Sequence, residues 1–163
     1  MVLNKLVVLA AAAALLSACE TGPKSKGNVS GAGAGGGAGG NGTWVAKAQQ
    51  CGGERVFFDL DQHDLKPAAR RTVECWAGFF KSKPGMTLLI EGNADERGTR
   101  EYNLALGDRR ANSVKNYLVA LGVNARRVRT ISYGKERPWV PGPNEASWAK
   151  NRNSKAIVNA AGS

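Results

Sequence analysis

The chain has 163 residues and a formal net charge of +10 at pH 7, from 23 lysine and arginine residues against 13 aspartate and glutamate residues. A nucleic-acid partner has to be considered for so basic a protein, but the arginines are scattered, and the N-terminal segment predicts export from the cytoplasm. An anionic polymer outside the cytoplasm fits the charge equally well. We therefore expect no nucleic-acid partner.

Residues 1–18 are predicted to be a lipoprotein signal peptide. Lys5 precedes an apolar run over residues 6–16 that ends in small residues, which is typical of a secretory signal. The run is shorter than the roughly 20 apolar residues that span a bilayer, so a retained membrane anchor is the weaker interpretation. Leu-Ser-Ala-Cys, ending at Cys19, resembles the bacterial lipobox, which predicts cleavage before Cys19 and lipidation of its thiol. An ordinary signal followed by a chance cysteine is the alternative.

Residues 19–52 are predicted to form a lipidated, glycine-rich flexible linker. Residues 31–42 are almost wholly glycine and alanine, and no Gly-Lys-Ser or Gly-Lys-Thr follows them as a phosphate loop would require. In bacteria resembling the enteric ones, aspartate after the lipidated cysteine retains a lipoprotein in the inner membrane. Glu20 stands there instead, so we expect the periplasmic face of the outer membrane. Residues 53–163 have the usual size of one domain.

Two cysteines remain after lipidation of Cys19. Cys51 precedes the first predicted strand, and Cys75 lies within the first predicted helix. The predicted compartment permits oxidation, so we favour a disulfide between them over two separate buried thiols. Closing that loop would contribute about 3–4 kcal/mol to stability.

Periodicity in the folded part predicts an α/β (α+β) two-layer sandwich. β-rich runs predict four strands, at residues 55–60, 86–91, 127–133 and 155–160. Helical spacing of apolar residues predicts helices at residues 65–81 and 100–121 and a short helical turn near 145–150. The order is β-α-β-α-β-β, and two helices must cover one face of a four-stranded mixed sheet.

Arg110 is the most informative residue of the second helix, because it shares the apolar stripe of Leu106 and Val114. A partly buried guanidinium needs an anion. Asp95 lies in the loop that leads into this helix, so we expect the two side chains to converge. They either fasten the loop to the helix or hold a ligand together, and spacing alone leaves both options open.

The motifs around these two residues resemble those of a known family. They are residues 91–99, 102–103, 106–107 and 110–111, with 58–61, 132–136 and 151–152. Over about residues 56–158 the chain resembles the peptidoglycan-associated lipoproteins, a branch of the outer-membrane protein A C-terminal domain superfamily. The related motor stators carry a transmembrane helix, for which we expect no counterpart here.

The resemblance implies a lipoprotein that binds the meso-diaminopimelate of the peptidoglycan stem peptide non-covalently. It would tether the outer membrane to the cell wall within the Tol-Pal system and support envelope integrity and cell division. By resemblance, Asp95 pairs with the charged amino-acid end of the ligand and Arg110 with its carboxylate. The other residues expected to line the pocket are Asp59, Thr99, Asn103, Leu106 and Arg152.

Two positions depart from the family pattern. Asn93 stands where the family usually has histidine, and Asn153 stands where it usually has a second arginine. Asn93 still donates and accepts hydrogen bonds but has no protonation switch. Asn153 removes a cation near the expected pocket, which predicts lower affinity.

Two other functional classes remain as alternatives. A peptidoglycan-active enzyme is disfavoured, because the single histidine, His63, lies in a polar run and no metal, cofactor or nucleophile pattern accompanies it. A periplasmic interaction hub is implied by the resemblance, since family members bind the propeller protein of the Tol system around the same pocket. Trp139 and Trp148 are candidate anchors for that contact, although packing is the favoured role for each.

Overall fold

The computed structural model describes residues Asn41–Ala160, which lie within one compact unit, Gly35–Ser163. The predicted signal peptide, Cys19 and residues 19–40 of the predicted linker lie outside the described residues. Within residues 41–160, no helix has both the length and the apolar character needed to cross a bilayer.

Four strands form one mixed sheet in the order β1-β4-β2-β3. The strands are β1 (Arg55–Phe57), β2 (Met86–Asn93), β3 (Val128–Gly134) and β4 (Asn153–Ala160). β2 pairs with β3 in parallel, and β4 runs antiparallel to both β1 and β2. The predicted four-stranded α/β fold is confirmed, although the first strand ends at Phe57 rather than at residue 60.

Three helices follow the predicted order: α2 (Pro67–Ser82), α3 (Arg100–Ala120) and the short α4 (Glu145–Asn151). Pro67 stands in the first turn of α2, where its missing N–H costs nothing. The Thr99 side chain caps α3 by accepting a hydrogen bond from the Tyr102 amide. The apolar stripes of α2 and α3 bury against the sheet in one hydrophobic cluster with Val73, Trp76 and Val114 at its centre.

A further helix, α1 (Asn41–Gln50), lies inside the segment predicted to be linker. Its Trp44 is only 2% exposed, and the indole ring centroid lies 5.2–5.9 Å from the ring centroids of Trp76, Phe79 and Phe80. The prediction of a flexible linker over residues 19–52 is therefore wrong for Asn41–Gln50. The prediction from composition failed because one large aromatic residue and the small Ala48 suffice to dock a helix that would not be stable alone.

A disulfide between Cys51 and Cys75 fixes the end of α1 to α2, with 5.5 Å between the two Cα atoms. Cys51 follows directly after α1, and its side chain is buried beside the aromatic cluster. Bridging and aromatic packing thus hold α1 at both of its ends.

Two glycines let α3 lie directly on the sheet. A Cβ atom at Gly92 of β2 would lie 1.8 Å from the carbonyl oxygen of Gly107 in α3, and one at Gly107 would lie 2.8 Å from the Gly92 oxygen. No larger residue fits either position without moving the helix. This close approach sets the first half of α3, which carries Asn103, Leu106 and Arg110, against the carboxyl end of β2.

Candidate functional site

A pocket of about 300 Å³ opens where the loop after β1, the loop after β2 and the start of α3 meet. Its lining residues are Leu60, Asp61, Asp95, Arg97, Gly98, Tyr102, Asn103, Leu106, Arg110 and Arg152. Three guanidinium groups and two carboxylates are among them, so the pocket carries one more cation than anion. Within residues 41–160, no cluster of His, Cys, Asp or Glu side chains is arranged to hold a metal ion.

Arg110 is fully buried at the base of this pocket. Its Nε donates to the Gln62 carbonyl at 2.8 Å, and its two Nη atoms donate to the carbonyls of Asn93 at 2.9 Å and Asp59 at 3.0 Å. The guanidinium therefore ties the loop after β1 to the end of β2. Burial lowers its pKa to about 10, against the opposing attraction of Asp95. These bonds use three of its five N–H donors, which leaves one N–H on each Nη.

Asp95 is 4% exposed and meets two other arginines. Arg97 holds its carboxylate through Nε and Nη2, at 3.1 and 2.7 Å, and the Arg97 amide also donates to it. Arg152 donates from Nη1 at 3.2 Å. Burial alone would raise the pKa of Asp95, but these hydrogen bonds outweigh it and hold the pKa below its ordinary value.

Asp95 and Arg110 line the same pocket but form no direct ion pair among those of the described residues. Asp95 and Arg110 therefore do not fasten the loop to the helix by pairing with each other. Arg110 is bonded to backbone carbonyls and Asp95 to Arg97 and Arg152, and both residues line the same cavity.

The outer rim of the pocket is built around Arg97, whose side chain is 36% exposed. Its guanidinium carbon lies 4.2 Å from the ring centroid of Trp148. The indole Nε1 donates to Glu96 at 3.0 Å, which orients the ring. The rim thus stacks a cation on an aromatic face directly over the Asp95 carboxylate.

The structure brings together most of the residues expected at the site. Asn103, Leu106 and Arg152 line the pocket with Asp95 and Arg110. Asp59 and Thr99 are not among its lining residues. The Asp59 side chain points to solvent and pairs with Lys66, so only its carbonyl serves the site by accepting from Arg110. Thr99 is exposed as the cap of α3.

Sequence reasoning missed Leu60, Asp61, Arg97, Gly98 and Tyr102 as lining residues. Tyr102 was recoverable, since it precedes Asn103 and stands four residues before Leu106 on the same side of the helix start. Asp61 was not, because its backbone turns through a positive φ of 56° that no spacing argument predicts.

The two positions that depart from the family pattern contact each other below the pocket. The amide nitrogen of Asn93 donates to the amide oxygen of Asn153 at 3.2 Å, and Arg55 donates to the same oxygen at 2.9 Å. Asn153 is fully buried and is not a lining residue. Asn153 thus contacts the side chain of Asn93, whose carbonyl accepts a hydrogen bond from Arg110, and the expected loss of affinity stays a prediction.

Comparison with known proteins identifies the fold family. A family model described as OmpA family matches residues 57–152. The chain belongs to the OmpA family. The expected resemblance is also confirmed, because the chain is 39% identical over 154 residues to the peptidoglycan-associated lipoprotein of Pasteurella multocida, covering 93% of this chain and 95% of that protein.

A second relative, the peptidoglycan-associated lipoprotein of Brucella melitensis, is 46% identical over 110 residues. That match covers 68% of this chain and 66% of the Brucella protein, just under two thirds of its length. Among solved structures, the peptidoglycan-associated lipoprotein from Burkholderia pseudomallei superposes with a TM-score of 0.65 at 41% identity, over 66% of this chain and 92% of that one.

The C-terminal domain of Helicobacter pylori MotB shares the fold at lower identity. It superposes with a TM-score of 0.61 at 20% identity, over 64% of this chain and 83% of that one. At that identity the likeness is one of fold alone.

Proposed function

We propose that the pocket binds the peptidoglycan stem peptide non-covalently through its meso-diaminopimelate side chain. The end of that side chain carries one ammonium and one carboxylate. The observation that carries the proposal is the presence of Asp95 and Arg110 in one cavity without an ion pair between them. A site for a zwitterion needs one acid and one base that are held apart, and this pair meets the requirement.

Arg110 is the proposed partner of the ligand carboxylate. Its three bonds to backbone carbonyls fix the plane of the guanidinium, so the two remaining Nη donors meet a carboxylate with little further loss of freedom. Two parallel hydrogen bonds from a guanidinium favour a planar carboxylate over a single cation or hydroxyl. The lining residues carry one more positive than negative charge, which also favours binding of a carboxylate.

Asp95 is the proposed partner of the ligand ammonium. Its lowered pKa keeps it ionised at neutral pH. An incoming ammonium displaces Arg97 from Asp95, because the Arg97 side chain is partly exposed. The Arg152 side chain is only 8% exposed, and it also donates to the Phe58 carbonyl and to the Glu145 carboxylate. The displaced Arg97 guanidinium can keep its cation–π contact with the Trp148 ring.

We further propose that Cys19 is lipidated and that the chain is anchored in the outer membrane, with residues 1–18 removed, residues 19–40 as linker and a domain from residue 41 to 163. A domain that binds peptidoglycan, on a chain whose N-terminus is anchored in the outer membrane, links the membrane to the cell wall. We assign it to the Tol-Pal system on the basis of its family. Catalysis is not part of the proposal.

The test is co-sedimentation of residues 20–163 with insoluble peptidoglycan. Asp95→Asn removes the charge at nearly constant shape, with the exposed Asp64→Asn as its matched control. Arg110→Lys keeps the charge but loses the fork, and the neighbouring exposed Arg109→Lys controls for it. Each pocket variant is expected to bind at least tenfold more weakly, because a hydrogen bond to a charged group contributes about 1.5–3 kcal/mol. Both controls should pellet like the wild type.

Specificity provides the second arm of the same experiment. Soluble stem peptides ending in meso-diaminopimelate should displace the protein from the pellet, whereas stem peptides with lysine at that position lack the carboxylate and should not. Pocket variants that fold by circular dichroism and still pellet like the wild type would overturn the assignment. Release of soluble muropeptides would favour an enzyme instead.

A protein partner is the second proposed function, carried by an exposed aromatic pair. Trp139 is 48% exposed and Phe57 is 41% exposed, with ring centroids 6.0 Å apart in a stacked arrangement and the Arg55 guanidinium 4.6 Å above the indole. Clusters of exposed tryptophan and arginine are typical anchors of protein interfaces. We propose this pair as a contact for a periplasmic protein of the Tol system, and Trp139→Ala should lower that affinity while peptidoglycan pelleting stays unchanged.

A further inference from the structure

The end of the domain opposite the pocket carries a cluster of cations that the proposed function does not use. Lys81 and Lys83 stand at the end of α2, and Arg126 and Arg127 stand in the short 3-10 helix Ala125–Arg127 before β3. The two segments touch, because the Arg127 guanidinium donates to the carbonyls of Phe80, Lys83 and Met86. We refer to Lys81, Lys83, Arg126 and Arg127 as the basic end.

The hydrogen bonds from Arg127 to these carbonyls stabilise the end of α2. Lys81, Lys83 and Arg126 are exposed, and no ion pair of the described residues involves any of the three. A Cβ atom at Gly122, just after α3, would lie 3.8 Å from Cδ of Lys81, so the end of α3 adjoins the same surface.

Acidic residues are missing from the segments that build this end. The sequence has none between Glu74 and Glu91 and none between Asp108 and Glu136. All but one of the described ion pairs with lysine or arginine join groups around the pocket and the loop after β1, and the remaining one joins Lys155 to Glu54. The cations of the basic end therefore have no acidic residue in the segments that build it, whereas most acidic residues that form ion pairs lie around the pocket and the loop after β1.

The chain also enters the domain at this end. Trp44, near the start of α1, packs on Phe79 and Phe80, whereas Cys51, just after α1, bonds Cys75 farther back in α2. α1 thus runs antiparallel to α2, and its first residue lies toward the end of α2 where Lys81 and Lys83 stand.

We propose that the basic end binds the surface of an anionic phospholipid bilayer. Two observations favour an anionic bilayer: the segments that carry these cations contain no acidic residue, and the polypeptide that leads to the predicted lipid-bearing Cys19 leaves from the same end. Residues 20–40 would span at most about 75 Å when fully extended, so a lipidated chain keeps these cations within that distance of a membrane. The inference rests on the proposed lipidation of Cys19 and not on what the pocket binds.

Docking in this orientation has a mechanical consequence. α3 starts at the pocket and ends beside Lys81, and its 21 residues are about 30 Å long. With the basic end on the bilayer, the pocket opens about 30 Å farther out, toward whatever lies beyond the membrane. The lipid tether and the basic end then act on the same side of the domain and do not compete with the pocket.

The experiment is co-sedimentation of residues 20–163 with phosphatidylglycerol-phosphatidylethanolamine vesicles and with neutral phosphatidylcholine vesicles. This stretch contains the entire compact unit and lacks Cys19, so binding to vesicles comes from the protein surface and not from a lipid attached to the chain. We expect binding to the anionic vesicles alone and its loss in high salt, because a basic surface is screened there.

The decisive variant replaces Lys81, Lys83 and Arg126 with glutamine. Each cation near an anionic bilayer strengthens binding about fivefold, so the triple variant should bind about a hundredfold more weakly. A control triple at Arg71, Arg109 and Lys150 removes the same charge from exposed residues that also have no ion pair among those described. It should lower binding by less than tenfold.

Three results would overturn the proposal. Equal losses in the two triple variants would mean that net charge and not this surface attracts lipid. Equal binding to neutral and anionic vesicles would remove the electrostatic basis. Loss of peptidoglycan pelleting in the Lys81, Lys83 and Arg126 variant, with vesicle binding unchanged, would assign the basic end to the glycan polymer instead.

Discussion

Replacing Gly107 with alanine reverses the usual rule for a glycine inside a helix. Alanine is favoured over glycine there by about 1 kcal/mol, so a helix-propensity argument predicts a more stable protein. The close approach of α3 to β2 predicts the opposite. A Cβ atom at this position would lie 2.3 Å from the Ser132 hydroxyl oxygen and 2.8 Å from the Gly92 carbonyl oxygen.

The magnitude follows from these two contacts. The Ser132 hydroxyl can rotate away, but it then loses its 2.7 Å hydrogen bond to the Leu104 carbonyl, at a cost of about 1 kcal/mol. The Gly92 oxygen belongs to the sheet backbone, so α3 must shift by about half an ångström, and such overpacking typically costs about 1–3 kcal/mol. After subtracting the propensity gain, we expect a net loss of about 2 kcal/mol.

Thermal unfolding followed by circular dichroism measures the effect, with Gly78→Ala as the matched control. Gly78 is exposed in α2, and a Cβ atom there would meet nothing within 4 Å. Gly107→Ala should lower Tm by about 8 °C, at roughly 4 °C per kcal/mol for a domain of this size, whereas Gly78→Ala should raise it by a few degrees. A Gly107→Ala protein as stable as the wild type would refute the close approach of α3 to β2.

Three further predictions concern the disulfide, α1 and Asp95. Reducing the Cys51–Cys75 bond, which joins residues 24 apart in sequence, should lower the free energy of unfolding in urea by about 3 kcal/mol, and an unchanged midpoint would contradict the bridge. Trp44→Ala should cost about 3–5 kcal/mol in the same assay, whereas a disordered segment before residue 51 predicts no change. The pKa of Asp95 is lower in the folded than in the unfolded state. Its carboxylate therefore stabilises the fold at pH values above the unfolded-state pKa of about 4, and this contribution is lost as the pH falls through the folded-state pKa. Asp95→Asn should therefore destabilise the protein at pH 7 but much less at pH 3, and an equal loss at both pH values would contradict the lowered pKa.

Apolar periodicity explains why the sequence predicted the sheet and α2 correctly, and α3 was predicted from a stripe of three- and four-residue steps that includes the polar Asn103 and Arg110. Arg110 was identified because a guanidinium on an apolar stripe is costly, and it is fully buried as that reasoning requires. Its partners were not predictable, since they are backbone carbonyls of Asp59, Gln62 and Asn93, and carbonyls carry no signature in the side-chain sequence.

The two errors arose where the conformation of the folded chain, and not the local sequence pattern, decides the outcome. α1 was missed because its stability comes from Trp44 docking on an aromatic cluster supplied by α2. Asp59 was expected in the pocket, but the chain turns after β1 so that its carboxylate meets Lys66 and only its carbonyl faces inward. α1 depends on contacts with another helix, whereas Asp59 pairs with a residue close to it in sequence, and the turn of the chain after β1 decides where its carboxylate points.

The central claim is that Asp95 and Arg110 jointly hold the two opposite charges of one ligand. Isothermal titration of residues 20–163 with a soluble stem peptide tests it, once with meso-diaminopimelate and once with lysine at the third position. We expect heat of binding for the first peptide and none for the second, with the preference abolished in Arg110→Lys. Equal affinity for the two peptides, or a preference that survives Arg110→Lys, would contradict the claim.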